Sequence, residues 1–153
     1  GRLSICFGPG ISKNDGRLFS DLCYAAAEGV EFLSESDGEG IRNFTYTRDC
    51  LIGIFLMIFR GKEGGVYNLA SATGIRVGTL VDAIRDRYRF SVRPKDSRRV
   101  VTPRFEARDS GVSIDALVDL GWDRCFDNEG AFIRTIEYLR SVSSGHDGHE
   151  GYS

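Results

Sequence analysis

SDGEGIRNFTYTRDC, residues 36–50, is the stretch on which the reading of the chain turns. It opens as an acidic, glycine-rich turn, and glycine supplies the backbone freedom that tight turns need. Residues 43–47 (NFTYT) then alternate like a strand, and residues 48–60 follow as an apolar helix pattern. Arg42 stands where the turn meets the strand. Its planar guanidinium could give two charge-assisted hydrogen bonds to an anion there. It could also be a surface arginine paired with Asp37 or Glu39, contributing ~0–1 kcal/mol. Asp49 is placed to cap or orient the helix that it begins.

Strands and helices alternate outward from this segment. Residues 2–7 (RLSICF) read as a strand that Gly8-Pro9-Gly10 breaks. Leu18, Phe19, Leu22, Cys23 and Ala26 recur at helical spacing, with Gly29 as the stop, and residues 30–33 suit a short strand. Downstream, helix 48–60 is so apolar that burial on most sides is expected. Residues 66–70 (VYNLA) form a second core strand, in which Asn68 is expected to cap its own turn. Residues 76–88 form an amphipathic helix with Val77, Leu80, Val81 and Ile84 on one face. Residues 89–92 suggest another strand, and the basic residues 93–104 a loop with one extended piece. Ser113 is a suitable N-cap for a helix over 114–120, closed by Gly121, and Trp122 beyond it is expected in the core. Asp127 caps a last helix over 129–140. The class is α/β. Residues 1–142 are expected to form one domain, and residues 143–153, with both histidines, a disordered tail.

Composition narrows the function. A net charge of −2 gives no global basic field, and the run RPKDSRR at 93–99 lacks interleaved aromatics, so nucleic acid is not an expected partner. No apolar run approaches the ~20 residues of a membrane helix, and the first residues lack a signal-peptide layout. The four cysteines show no paired C-x-x-C spacing, which favours scattered reduced thiols and a cytoplasmic location over a metal site. The chain has neither a G-x-G-x-x-G fingerprint nor a Walker-type loop. It also opens on an apolar strand with no partner before it.

RLSICFGPG, SDGEGIRNFTYTRD, GGVYNLAS and LGW (residues 120–122) occur in that order. Together, over residues 2–140, they resemble the C-terminal half of the extended short-chain dehydrogenase/reductases, the NAD-dependent epimerase/dehydratase family that acts on nucleotide sugars. The resemblance implies the late strands of a Rossmann-type parallel sheet and a small α/β substrate-binding lobe. It implies a parent enzyme using NAD(P), with a glycine fingerprint and a Tyr-x-x-x-Lys pair in a half that this sequence does not contain. No tyrosine here has a lysine four residues on.

The resemblance also assigns roles. Arg42 would reach the diphosphate of a nucleotide sugar. A second phosphate arginine is expected before LGW, where Arg99, Arg104 and Arg108 all fall; Arg104 is favoured, then Arg108. Gly8 and Pro9 would lie against nicotinamide and sugar. Two positions depart from the pattern. Ile5 stands where members often carry a substrate-contacting asparagine, and Glu35 near where many place an apolar or aromatic residue beside the base.

The expected function is therefore the diphosphate-sugar site of an epimerase, dehydratase or decarboxylase, with no catalytic residue and no cofactor held by this chain alone. The alternative is a degenerate lobe serving as a binding or assembly module. In either case strands 2–7 and 66–70 should be parallel neighbours with an open edge. An apolar patch at Leu3, Ile5, Val66 and Leu69 should await a Rossmann half or another copy of the chain.

Overall fold

The computed structural model describes residues 1–13, 15–34, 37–94 and 112–146. In chain order its elements are β1 (Arg2–Leu3), β2 (Ile5–Phe7), α1 (Leu18–Glu28), β3 (Phe32–Ser34), β4 (Ile41–Arg42), β5 (Phe44–Tyr46) and α2 (Thr47–Arg60). There follow β6 (Asn68–Leu69), β7 (Ile75–Arg76), α3 (Val77–Tyr88), β8 (Val92–Pro94), α4 (Asp115–Val118) and α5 (Asn128–His146). The expected α/β class, with parallel strands, is what forms.

The first strand changes partners at Ser4. Its β1 part pairs in parallel with β6, Arg2 opposite Asn68, as the sequence suggests for these two segments. Its β2 part pairs in parallel with β5, Ile5 opposite Phe44 and Phe7 opposite Tyr46. Arg2 and Ser4 donate their N–H groups to the Tyr67 and Leu69 carbonyls at 2.8 and 3.0 Å. Strand alternation therefore turns the Leu3 N–H to the other edge, where β1 has no pairing strand among the described residues. A third parallel pair joins β3 to β8, and β4 pairs antiparallel with β7.

Two apolar clusters form around that strand. The larger packs α1, α3 and α5 against the β2–β5 pair, and Phe132 sits at its centre between Phe7 and Phe44, with ring centroids at 4.3 and 5.4 Å. Burying one such ring contributes about 1.5–3 kcal/mol. The smaller cluster sets Cys50, Tyr67, Leu69, Leu117 and Trp122 beneath α2. Trp122 is in the core as expected, its indole N–H donating to the Asp49 carbonyl at 2.8 Å.

The local signals explain several helix ends. Gly29 takes the left-handed conformation at φ 68°, and both its N–H and that of Val30 reach the Ala25 carbonyl, which closes α1. Asp127 Oδ1 accepts the Gly130 N–H at 2.7 Å and caps α5.

Other expectations need correction. Helix α2 is not buried on most sides: Leu51, Phe55, Ile58 and Phe59 are exposed. The β1–β6 pair beneath it is only two strands wide and covers one face. Leu69 is buried, because Gly53 lets α2 lie directly on it; a Cβ at Gly53 would come within 2.3 Å of the leucine Cδ2. Leu3, Ile5 and Val66 are exposed. Asp49 does not cap its helix, since no side chain caps α2; its Oδ1 accepts the Cys125 N–H at 3.1 Å instead. Asn68 likewise donates to the Ser113 carbonyl rather than capping its own turn. The strand expected at 89–92 begins at Val92, because Arg89 is the left-handed cap of α3 at φ 58°. Helix α5 continues past residue 142 to His146, and within it the Ser141, Ser143 and Ser144 hydroxyls turn back to carbonyls three or four residues earlier.

Candidate functional site

The glycine turn is locked onto the start of α3. Val77 and Gly78 donate their N–H groups to the Gly40 and Gly38 carbonyls at 3.0 and 2.8 Å, satisfying donors that a helix N-terminus leaves free. Only glycine fits this contact: Gly38 has φ 78°, and a Cβ there would lie 2.9 Å from the Gly78 Cα. From the turn the chain enters β4, where Arg42 pairs with Ile75. The Arg42 guanidinium is exposed and donates to the Ile41 carbonyl at 3.0 Å. Glu39, the carboxylate closest to it in sequence, pairs with Arg76 at 3.0 Å. Among the described residues no carboxylate forms an ion pair with Arg42.

Behind Arg42, the Asn43 side chain clamps the backbone of Ser71 by donating to its carbonyl and accepting its N–H, both at 2.6 Å. The Ser71 hydroxyl donates to the Thr73 carbonyl and accepts from Arg124 Nη1 at 2.5 Å. Arg124 Nη2 continues to Asn128 Oδ1 at 3.3 Å. This network fixes the strand that carries Arg42, and spacing alone gives no sign of it.

Gly8 and Pro9 line an open depression of about 350 Å³ with Cys6, Ile11, Arg17 and Thr47. Gly8 lies so close to α2 that a Cβ would meet Thr47 Oγ1 at 2.7 Å. The Cys6 thiol donates to the same hydroxyl at 3.8 Å. A second depression, about 520 Å³, continues past Pro9 over Tyr46, Arg134, Glu137 and Tyr138. Burial, and next the neighbouring Cys6 sulfur, push the Cys50 thiol up to about 11. Burial alone drives Cys23 higher still.

Arg42 and Gly8-Pro9 do not share a cavity. The register sets Phe44 beside Ile5, so Arg42 stands level with Leu3, and the strands separate it from Gly8 by roughly 16 Å. Ile5, exposed, is nearer to Arg42 than the Gly-Pro turn is. Arg17 and Thr47, which the sequence does not single out, accompany Gly8 and Pro9. Arg99, Arg104, Arg108 and Glu35 lie outside the described residues.

Comparison with known proteins places this fold. No protein-family model matches the chain, and no curated protein does. Among solved structures the chain is similar to a dTDP-glucose 4,6-dehydratase from Bacillus anthracis in complex with NAD, with a TM-score of 0.75 and 16% identity over 94% of this chain and 44% of the other. It is similar to a UDP-glucose 4-epimerase from Thermotoga maritima with UDP-glucose, at TM-score 0.72 and 21% identity, over 93% of this chain and 45% of that one. A UDP-glucuronic acid 4-epimerase from Bacillus cereus, with UDP-glucuronic acid and NAD, gives TM-score 0.72 and 17% identity over 92% and 44%. The fold is that found in the extended short-chain dehydrogenase/reductases, and the chain spans less than half the length of each of these neighbours.

Proposed function

We propose that the chain is the nucleotide-sugar-holding portion of an NAD(P)-dependent nucleotide-sugar epimerase or dehydratase, and that Arg42 grips the diphosphate. The observation that carries this reading is Arg42 itself: an exposed guanidinium on a glycine turn held by α3, with Glu39 of that turn paired to Arg76. Arg104 or Arg108 would supply the second phosphate contact, and Gly8 and Pro9 would face the sugar side. In such an enzyme the bound dinucleotide accepts and returns hydride. This chain has no glycine fingerprint to cradle it, so its own part is to hold the diphosphate and aim the sugar. The dinucleotide cradle and the base would come from a Rossmann half.

Calorimetric titration with UDP-glucose and dTDP-glucose tests the proposal. Arg42→Ala should weaken binding by ~1.5–3 kcal/mol, the scale of hydrogen bonds to a charged group, while Arg60→Ala at the far end of α2 should change it little. Equal losses from both, or none from Arg42, would return Arg42 to a surface charge. NAD alone should give no saturable heat.

A second reading, a lobe that binds or assembles without catalysis, is favoured by Ile5, an exposed isoleucine that cannot hydrogen-bond a sugar hydroxyl. On that reading the open edge of β1, with Leu3 and Val66, takes a Rossmann half or another copy of the chain. Concentration-dependent association without any heat from the nucleotide sugars would select it.

A further inference from the structure

The fold brings two thiols together that the sequence keeps far apart. Cys6 lies on β2, half-buried, and lines the depression beside Gly8 and Pro9, where small solutes reach it. Cys50 lies on the first turns of α2 and is buried, in the apolar cluster against which Cys6 also packs. Thr47 fixes their relation. Its hydroxyl accepts from the Cys6 thiol and touches Gly8, and Cys50 is three residues further along the same helical face. Because Cys6 packs against the apolar cluster that holds Cys50, the two sulfurs face the same part of the core. The remaining two cysteines differ: Cys23 is sealed in the larger cluster, and Cys125 is exposed.

We propose that Cys6 and Cys50 form a reversible disulfide that staples β2 to the first turns of α2 at the edge of the Gly8-Pro9 depression. The oxidant is hydrogen peroxide. The Cys6 sulfur, its proton released, attacks one peroxide oxygen; the O–O bond breaks, leaving a sulfenic acid and a hydroxide that takes up that proton as water. The Cys50 thiol gives up its proton as its sulfur attacks the Cys6 sulfur; the S–S bond forms, the S–O bond breaks, and the departing hydroxide takes that proton to give a second water. Two thiols lose two electrons and one peroxide gains them. The link closes over Thr47, the residue that also abuts Gly8, and therefore fixes the Gly-Pro turn against α2.

The test treats the full chain with limiting hydrogen peroxide, alkylates residual thiols in denaturant, and maps non-reduced peptides by mass spectrometry. The expected result is a peptide pair joined through Cys6 and Cys50, two hydrogens lighter than the sum of its parts and released by dithiothreitol. Cys6→Ser and Cys50→Ala should each abolish it. Cys125→Ser, at an exposed position that does not threaten the fold, should retain it. Recovery of Cys6 and Cys50 as separately alkylated residues after Cys125 has been consumed overturns the proposal. So does a link from either of them to Cys125.

Discussion

Asp49→Ala and Asp49→Asn separate two accounts of this buried carboxylate. Asp49 is fully buried, its Oδ1 accepts the Cys125 N–H, and its Oδ2 has no partner among the described residues. Removing the carboxylate leaves the Cys125 N–H without an acceptor, a loss of ~1.5–3 kcal/mol for a bond to a charged group. Asparagine keeps the shape and an accepting Oδ1, and should cost about half as much or less, since charge-assisted bonds are about twice as strong as neutral ones. The Trp122 bond to the Asp49 carbonyl is a main-chain contact that both variants retain. Trp122 is the only tryptophan, so its fluorescence reports on this junction during urea unfolding. At a slope of ~2 kcal/mol per molar, alanine should lower the midpoint by about 1 M and asparagine by clearly less. If both variants lose the same amount, and less than ~1 kcal/mol, the carboxylate acts only through the positive end of α2. Its role as a pin between α2 and the segment before α5 would then be wrong.

Phe55→Ser and Phe59→Ser should each change unfolding free energy by no more than ~0.5 kcal/mol, because the two stacked rings are exposed; a loss of several kcal/mol in the same urea experiment would mean that this face of α2 is covered. Gly53→Ala should destabilise the chain by ~1–3 kcal/mol despite alanine's better helix propensity, since the new Cβ runs into Leu69 and approaches Trp122 Nε1 to 3.1 Å; a raised melting temperature would contradict that contact. Burial, and then the bond that its hydroxyl donates to Glu137 at 2.7 Å, raise the Tyr88 phenol above its ordinary value. The neutral form is the one favoured in the fold, so its contribution is intact below about pH 10, the unfolded phenol's value, and fades as pH rises through the higher folded one. Tyr88→Phe should therefore lose ~0.5–1 kcal/mol at pH 7 and show a flatter stability profile above pH 10, measured by urea titration across that range.

Signals carried by local backbone chemistry were legible in the sequence. Gly29 and Asp127 mark helix ends with residues whose geometry or side chain does the work unaided. The face Val77, Leu80, Val81 and Ile84 is buried as its spacing implies. The parallel pairing of Arg2–Leu3 with Asn68–Leu69 followed from the apolar character of their segments, whereas that of Ile5–Phe7 with Phe44–Tyr46 did not. What failed depended on distant partners. Asp49 at the start of an apolar helix looks like a capping residue, and nothing nearby announces Cys125. The stripe Leu51, Phe55, Ile58 and Phe59 is apolar enough for a core, and only the narrowness of the strand pair beneath α2 leaves it outside. For the site, the resemblance could mark Arg42, Gly8 and Pro9, but not the strand register that holds them apart. The Asn43–Ser71–Arg124 network joins three segments through single side chains, a pattern with no period to detect.

Helix α2 and the three-helix layer belong to different clusters, yet one extended run of chain serves both. At Ser4, where a hinge between them would have to bend, the N–H is held by the Leu69 carbonyl and the hydroxyl by Thr45 at 2.7 Å. A tilt of one cluster against the other must break both bonds or drag the strand along. Ser4 therefore couples the two clusters through one residue of shared strand. The turn before Arg42 is tied in the same way from its other side, through the Val77 and Gly78 N–H bonds to the Gly40 and Gly38 carbonyls.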